Sequence, residues 1–255
     1  MVFCVAWDRD SKRIALAGAN GDQFTVKVKD LDAKSEQDAF ALPAGSEYFA
    51  VAFSPDRKYL VTGNGARLVQ VWDANNGRPI RTLGTHKGVV RGVVFSPDRK
   101  HLASVSSDGE VKLWDATRLG EQEKPQEPLT FPAHSPGACL NVAFSPDGKR
   151  LATGGKEYTV KIWDIETGDL LQTLRGHSGD VYTVAFSPDG KWVASAGEDS
   201  TVKVWDGRTG DLLRNFRGHT GLVTSLAFID GRTLISGSRD RKIKFWDVAQ
   251  LEVAP

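Results

Sequence analysis

The sequence is short of cysteine, of net charge and of long apolar runs, and each shortage closes off a class of function. Its 255 residues include two cysteines, Cys4 and Cys139, each inside an apolar strand-like run. Cysteine in such a setting behaves as a small buried hydrophobe, and a structural disulfide is not expected. The 33 basic and 32 acidic residues leave a net charge of +1, which supplies no long-range field to gather nucleic acid or an anionic membrane. No apolar run approaches the roughly 20 residues that span a bilayer. The start Met1-Val2-Phe3-Cys4-Val5-Ala6-Trp7 lacks the basic segment and cleavage site of a signal peptide. A cytoplasmic globular protein is the expectation, and 40% hydrophobic with 25% charged residues suits a substantial core.

What the sequence does contain is repetition. A Trp-Asp pair closes five segments, at Trp72-Asp73, Trp114-Asp115, Trp163-Asp164, Trp205-Asp206 and Trp246-Asp247, with intervals of 42 (73 to 115), 49 (115 to 164), 42 (164 to 206) and 41 (206 to 247). A period of roughly 40 to 45 residues marks a propeller built from small sheets. In the clearest unit three β-rich runs, Val181 to Phe186, Trp192 to Ala196 and Thr201 to Trp205, are separated by Ser187-Pro188-Asp189-Gly190 and Glu198-Asp199-Ser200, and a fourth, Leu212 to Phe216, follows Thr209-Gly210. Turn formers between alternating runs predict a four-stranded antiparallel meander.

The first turn recurs at Ser54-Pro55-Asp56, Ser96-Pro97-Asp98 and Ser145-Pro146-Asp147 and fades to Ile229-Asp230-Gly231 and Asp8-Arg9-Asp10. Lys29-Asp30 stands 43 residues before Asp73 (30 to 73) and takes the place of the closing pair in a degenerate first unit. Trp7-Asp8 is a false pair, since Trp7 aligns with Phe53, Phe95, Phe144, Phe186 and Phe228. The expectation is an all-β propeller of six four-stranded antiparallel blades. One domain over 1–255 divides at about 1–43, 44–85, 86–133, 134–176, 177–218 and 219–255. The last blade has at best a short outer strand, at Leu251-Glu252-Val253. Either six blades close without an interlocking strand and the chain is a monomer, or the chain is part of a longer propeller.

Gly-His, Ser-Pro-Asp-Gly and Asp-x-x-Val-Lys-x-Trp-Asp at constant spacing make this chain resemble the WD-repeat β-propeller family over essentially its whole length. The resemblance implies one hydrogen-bonded set per blade: His86, Ser104, Asp108, Trp114; His177, Ser195, Asp199, Trp205; and His219, Ser236, Asp240, Trp246. A fourth set is altered, His134, Thr153 and Trp163 with Glu157 where Asp is expected, and the second unit lacks the set, with Thr62 kept but Ala66 in the Asp position. Ser, His and Asp are also the residues of a nucleophilic triad. Several copies at equal spacing indicate a structural clamp, whereas chemistry needs one convergent site, and histidines more than 40 residues apart do not meet around one ion. Neither a catalytic residue nor a metal nor a cofactor is expected, and the chain is read as no enzyme.

In this family the starts of the inner strands and the loops between second and third strands share one face, and similar proteins bind peptides and protein partners there. Carried onto this chain, that face takes Phe3, Glu47, Phe49, Arg91, Leu140, Lys156, Asp180, Tyr182, Glu198, Leu222 and Arg239. These positions differ from unit to unit while the strand framework does not, and aromatics with Arg are typical binding hot spots. The opposite face pairs basic residues with Asp in each Ser-Pro-Asp turn, so nucleic-acid binding is not expected. The linker Ala116 to Pro128 reads as a flexible loop on that second face. The leading reading is a non-catalytic interaction scaffold for a protein or peptide, with no membrane partner. Two others stay open: a sensor or docking domain of a larger signalling protein such as a kinase, and a ligand-binding or enzymatic propeller.

Overall fold

Four of the inner hairpins are set by a Ser-Pro-Asp turn. The Ser54 hydroxyl donates to Asp56 Oδ1 (2.6 Å) and accepts from Tyr59 N (2.9 Å), while Asp56 Oδ1 accepts from Lys58 N (3.1 Å). Ser96, Ser145 and Ser187 repeat this arrangement. The turn closes on a left-handed residue, Gly148 (φ 70°) and Gly190 (φ 71°) in two units but Arg57 (φ 64°) and Arg99 (φ 67°) in two others. Glycine takes this conformation without strain, and arginine does not.

The computed structural model describes residues 2–8, 10, 12–20, 23–32, 38–43, 46–121, 127–135 and 139–249. It consists of two compact units, Met1–Phe131 and Pro132–Pro255. The first unit has three sheets. One is β1 (Val2–Trp7), β2 (Arg13–Asn20), β3 (Gln23–Asp30) and β4 (Phe40–Ala41); the next is β5 (Tyr48–Phe53), β6 (Tyr59–Asn64), β7 (Leu68–Asp73) and β8 (Pro79–Thr85). The third is β9 (Val90–Phe95), β10 (His101–Ser106), β11 (Glu110–Asp115) and β12 (Leu129–Pro132). The second unit has β13 (Cys139–Phe144), β14 (Arg150–Gly155), β15 (Thr159–Asp164) and β16 (Leu170–Arg175), followed by β17 (Val181–Phe186), β18 (Trp192–Gly197), β19 (Val202–Asp206) and β20 (Leu212–Phe216). Its last sheet has three strands, β21 (Val223–Phe228), β22 (Thr233–Ser238) and β23 (Ile243–Asp247). The fold is an all-β propeller of six antiparallel blades. No helix among the described residues is long and apolar enough to cross a membrane. Leu251-Glu252-Val253 lies outside the described residues.

Lys29-Asp30 ends β3 as Trp72-Asp73 ends β7, and Trp7 ends β1 opposite Ile14 as Phe53 ends β5 opposite Leu60. Adjacent sheets pack face to face within each unit. In the first, Val26 and Val28 lie against Tyr48 and Val51, and Val69 and Val71 against Val90 and Val93. In the second, Val160 and Ile162 meet Val181 and Val184, and Val202 and Val204 meet Val223. Full burial of one such side chain stabilises by about 1.5–3 kcal/mol, so these faces carry the fold.

Two arginines tie neighbouring sheets. Arg13 donates to Ala74 O (2.5 Å) and Arg57 O (3.3 Å) with its guanidinium 5.3 Å from the Phe53 ring. Arg150 donates to Gly207 O and Gly190 O with its guanidinium 5.5 Å from the Phe186 ring. The linker after β11 is partly anchored, contrary to its reading as a flexible loop. Leu119 is buried beside the Tyr59 cluster, and Arg81 donates to Arg118 O (3.4 Å) and Glu121 O (2.5 Å). The apolar side chain in the linker joins the cluster between two sheets; residues 122–126 lie outside the described ones.

Candidate partner-binding surface and polar clamps

Every inner strand carries a β-bulge near its start. In β1 the ladder pairs Val2 with Gly18 and Cys4 with Ala17, so Phe3 is the extra residue. By the same count the extra residues are Phe49, Arg91, Leu140, Tyr182 and Thr224. A bulged residue leaves the regular ladder, and its side chain is re-aimed. Next to four of the bulges, the residue two positions before it accepts from the loop after the second strand: Gly65 N to Glu47 O (2.7 Å), Ser107 N to Val89 O (2.9 Å), Glu198 N to Asp180 O (2.8 Å) and Arg239 N to Leu222 O (2.9 Å). Two of these bonds join pairs of positions chosen from the sequence, Glu198 with Asp180 and Arg239 with Leu222. Gly197 makes the approach possible, since a Cβ there would sit 1.9 Å from Asp180 O.

In the first unit the bulge residues touch in a row. The Phe3 ring lies 5.4 Å from Phe49, and the Arg91 guanidinium lies 4.5 Å from the Phe49 ring centroid, within cation–π range. Phe3 and Arg91 are exposed, Phe49 is half-buried, and Glu47 stands exposed at the head of β5. The second unit carries a polar counterpart. Asp180 N donates to Glu198 Oε2 (3.2 Å), and burial with the neighbouring Glu198 charge holds the Asp180 carboxyl above its usual range. Tyr182 beside them is pushed up by burial and by the same two carboxylates, with Arg239 opposing. Lys156 is exposed and close enough to lower Asp180 in part, while Leu140 and Leu222 are half-buried.

Below the bulges lie the clamps. Trp205 Nε1 donates to Ser195 Oγ (2.8 Å), Ser195 Oγ meets His177 Nε2 (2.8 Å), and His177 Nδ1 meets Asp199 Oδ2 (2.8 Å). A hydroxyl that accepts from the indole donates its own proton to Nε2, which leaves Nδ1–H to donate to the carboxylate. The set of Trp246, Ser236, His219 and Asp240 has distances of 2.8, 2.8 and 2.7 Å, and that of Trp114, Ser104, His86 and Asp108 has 2.9, 2.8 and 3.3 Å. Burial would raise Asp199, yet the bonds from His177 and Thr201 outweigh it and hold the carboxyl well below its usual range. Gly176 (φ 151°) and Gly218 (φ 153°) precede two of the histidines, with the Trp205 and Trp246 rings 3.3 Å from where a Cβ would stand. Glycine is needed there on both counts.

The altered set differs in one bond. Trp163 Nε1 donates to Thr153 Oγ1 (2.9 Å) and Thr153 Oγ1 meets His134 Nε2 (2.9 Å), but His134 Nδ1 lies 3.4 Å from Glu157 Oε2 with no aligned hydrogen bond. The longer glutamate turns to Ser135 N (2.8 Å) and Lys161 Nζ (2.8 Å). Burial first, then the Lys161 charge, pushes the His134 imidazole down to about 4. Burial would raise Glu157, but Lys161 and Ser135 bring its carboxyl down to about 2. The second blade is not wholly without a set, for Trp72 Nε1 donates to Thr62 Oγ1 (2.9 Å).

Five stretches of the chain, residues 45–73, 77–115, 126–164, 168–206 and 210–247, match the model of the WD domain, G-beta repeat. The chain belongs to the WD40 family. Each WD40 stretch from the second onward starts near the outer strand of one sheet and runs through the three strands of the next. Propellers of this family are typically protein-interaction scaffolds and generally not catalysts.

Among the described residues His86, Asp108 and Glu110 bring three ligand-type atoms within 4.8 Å of one another. Asp108 there already accepts from Lys87 N (2.8 Å) and Gly88 N (3.3 Å), which makes the group part of a WD40 clamp. Asn141, a polar side chain on an inner strand, accepts from Val184 N (3.1 Å) and ties two blades. Sequence reasoning missed Phe24, whose ring stacks on Phe3 at 6.3 Å. The β2–β3 hairpin has strands of 8 residues, against 5 or 6 in the corresponding strands of the other sheets, and this length carries Phe24 up to Phe3.

Proposed function

We propose that this WD40 chain is a non-catalytic scaffold that holds a protein or peptide partner against its bulge residues, in the cytoplasm and without a membrane. In the first unit the contact surface is Phe3, Phe49 and Arg91 with Glu47. In the second it is Leu140, Tyr182 and Leu222 with Lys156, Asp180, Glu198 and Arg239. The observation that carries the reading is the row Phe3, Phe49, Arg91: an apolar shelf ending in a guanidinium held 4.5 Å over a ring centroid. Such a side chain loses little further freedom on binding and presents its fork to a carboxylate. A partner segment with an apolar or aromatic anchor followed by an acidic residue fits this row.

Selection of displayed random peptides on the intact chain tests the proposal. Enriched peptides should combine an anchor with Asp or Glu and lose most of their affinity for Phe49→Ala/Arg91→Ala, whose melting temperature should stay close to the parent's. Peptides that bind this double variant as tightly as the parent would remove the assignment.

A further inference from the structure

The second sheet is open at a place where two others are closed. In the sheets of β9 and β17 the hairpin side chain turns back on the residue two positions before the bulge. Val89 N donates to Ser107 Oγ (2.9 Å), and Asp180 N donates to Glu198 Oε2 (3.2 Å). In the sheet of β5 the same hairpin position is Gly65, which donates its N–H to Glu47 O (2.7 Å) and has no side chain to turn. Its φ is not left-handed, so the backbone makes no demand for glycine there, and what the missing Cβ supplies is room. A Cβ on Gly65 would stand 3.2 Å from Glu47 Oε2 and 3.6 Å from Phe49 Cε2, so the carboxylate and the ring edge border one notch. The Arg91 guanidinium lies over the face of that same ring. Glu47 and Arg91 are both exposed, and among the described residues neither forms an ion pair.

We infer that the notch at Gly65 seats a basic side chain of the partner against Glu47, so that the bound peptide segment carries both an acidic residue for Arg91 and a basic one for Glu47 beside its apolar anchor. The inference rests on the contact surface proposed above and adds its second charge. A lysine or arginine stem can lie along the Phe49 edge while its head meets the carboxylate. Unpaired charges of opposite sign at a rim speed the partner's arrival and fix its register, while the apolar contact supplies most of the affinity. They also reject partners of a single sign. A wholly acidic segment, or a nucleic acid, would set negative charge against Glu47, and a wholly basic segment would set a cation against Arg91. The length of the segment follows from the row. Ring centroids are 6.3 Å apart from Phe24 to Phe3 and 5.4 Å from Phe3 to Phe49, with a further 4.5 Å to the guanidinium. At roughly 3.3 Å per residue, such a row takes at most about five residues of extended chain.

The test is a selection of displayed random peptides on the intact chain, on Glu47→Lys and on Gly65→Lys, which puts an ammonium of the chain's own into the notch. Peptides from the parent should combine Asp or Glu, an apolar anchor, and Lys or Arg. With Glu47→Lys the anchor and the acidic residue should persist while Lys or Arg gives way to Asp or Glu. With Gly65→Lys the basic residue should no longer be enriched. A peptide selected on the parent should bind Glu47→Lys at least about tenfold more weakly at low salt, and exchanging its basic residue for Glu should restore most of the loss. Glu47→Lys, at an exposed position, carries the test alone if Gly65→Lys does not fold. Parent-selected peptides without a basic residue, or a basic residue kept equally on Glu47→Lys, would overturn the inference and leave the contact surface standing if Phe49→Ala/Arg91→Ala still abolishes binding. Peptides indifferent to that double variant would remove the surface and the inference together.

Discussion

Between pH 7 and pH 5 the protein should lose about 2 kcal/mol of stability through His134 alone. Its side chain has no solvent exposure, and burial with the Lys161 charge lowers its pKa from 6.5 to about 4. A histidine depressed in the fold favours the neutral native state. Its contribution is complete above the unfolded value of about 6.5, falls as pH drops, and is gone below about 4, where the full difference amounts to about 3 kcal/mol. At pH 5 the unfolded ring is almost fully protonated and the native one is not, which gives the figure of about 2 kcal/mol. Urea unfolding at pH 7, 6 and 5, followed by tryptophan fluorescence, measures the slope in the parent and in His134→Gln. His86, also lowered by burial, is present in both and cancels. Parallel slopes in the two proteins would refute the argument, because the Gln variant has no proton to take up.

Three other outcomes follow from the contacts. Ser195→Ala strips the buried Trp205 Nε1 and His177 Nε2 of their partner and should cost about 2–4 kcal/mol in urea unfolding, while Ser195→Thr, which keeps the hydroxyl as Thr153 does, should cost less than half of that. Arg150→Ala removes two bonds to carbonyls and the stack on Phe186 and should cost about 1–2 kcal/mol, with Arg150→Lys recovering little because lysine lacks the planar fork. Native-state hydrogen exchange should open the first two sheets, β1–β4 and β5–β8, before β17–β20, which has a complete clamp; uniform protection would contradict the weight given to the clamps.

Strand positions were legible where turn chemistry and alternation agree. The fifth blade's runs 181–186, 192–196, 201–205 and 212–216 fall within a residue of β17 to β20. The closing Asp could be followed into the first blade through Lys29 because position, and not residue type, marks the strand end. Longer-range facts left no local trace. Leu119 is one apolar residue in a charged linker with no period, and the apolar cluster it joins is drawn from strands of two sheets as far back as Ala50. Arg13 and Arg150 take the position held by Tyr59, His101 and Trp192 in other blades, so their reach to neighbouring carbonyls shows only in three dimensions.

The bulges separate two demands that a strand residue ordinarily meets together. A residue in a regular ladder must suit its cross-strand partner, and a change there propagates through pairing and packing. Phe3, Phe49, Arg91, Leu140, Tyr182 and Thr224 fall outside that register. They can be exchanged for aromatic, charged, aliphatic or hydroxyl side chains, as the chain itself has done, with little effect on the sheets beneath. Randomising these six positions together would therefore yield a collection of variants with one common stability and many different surfaces.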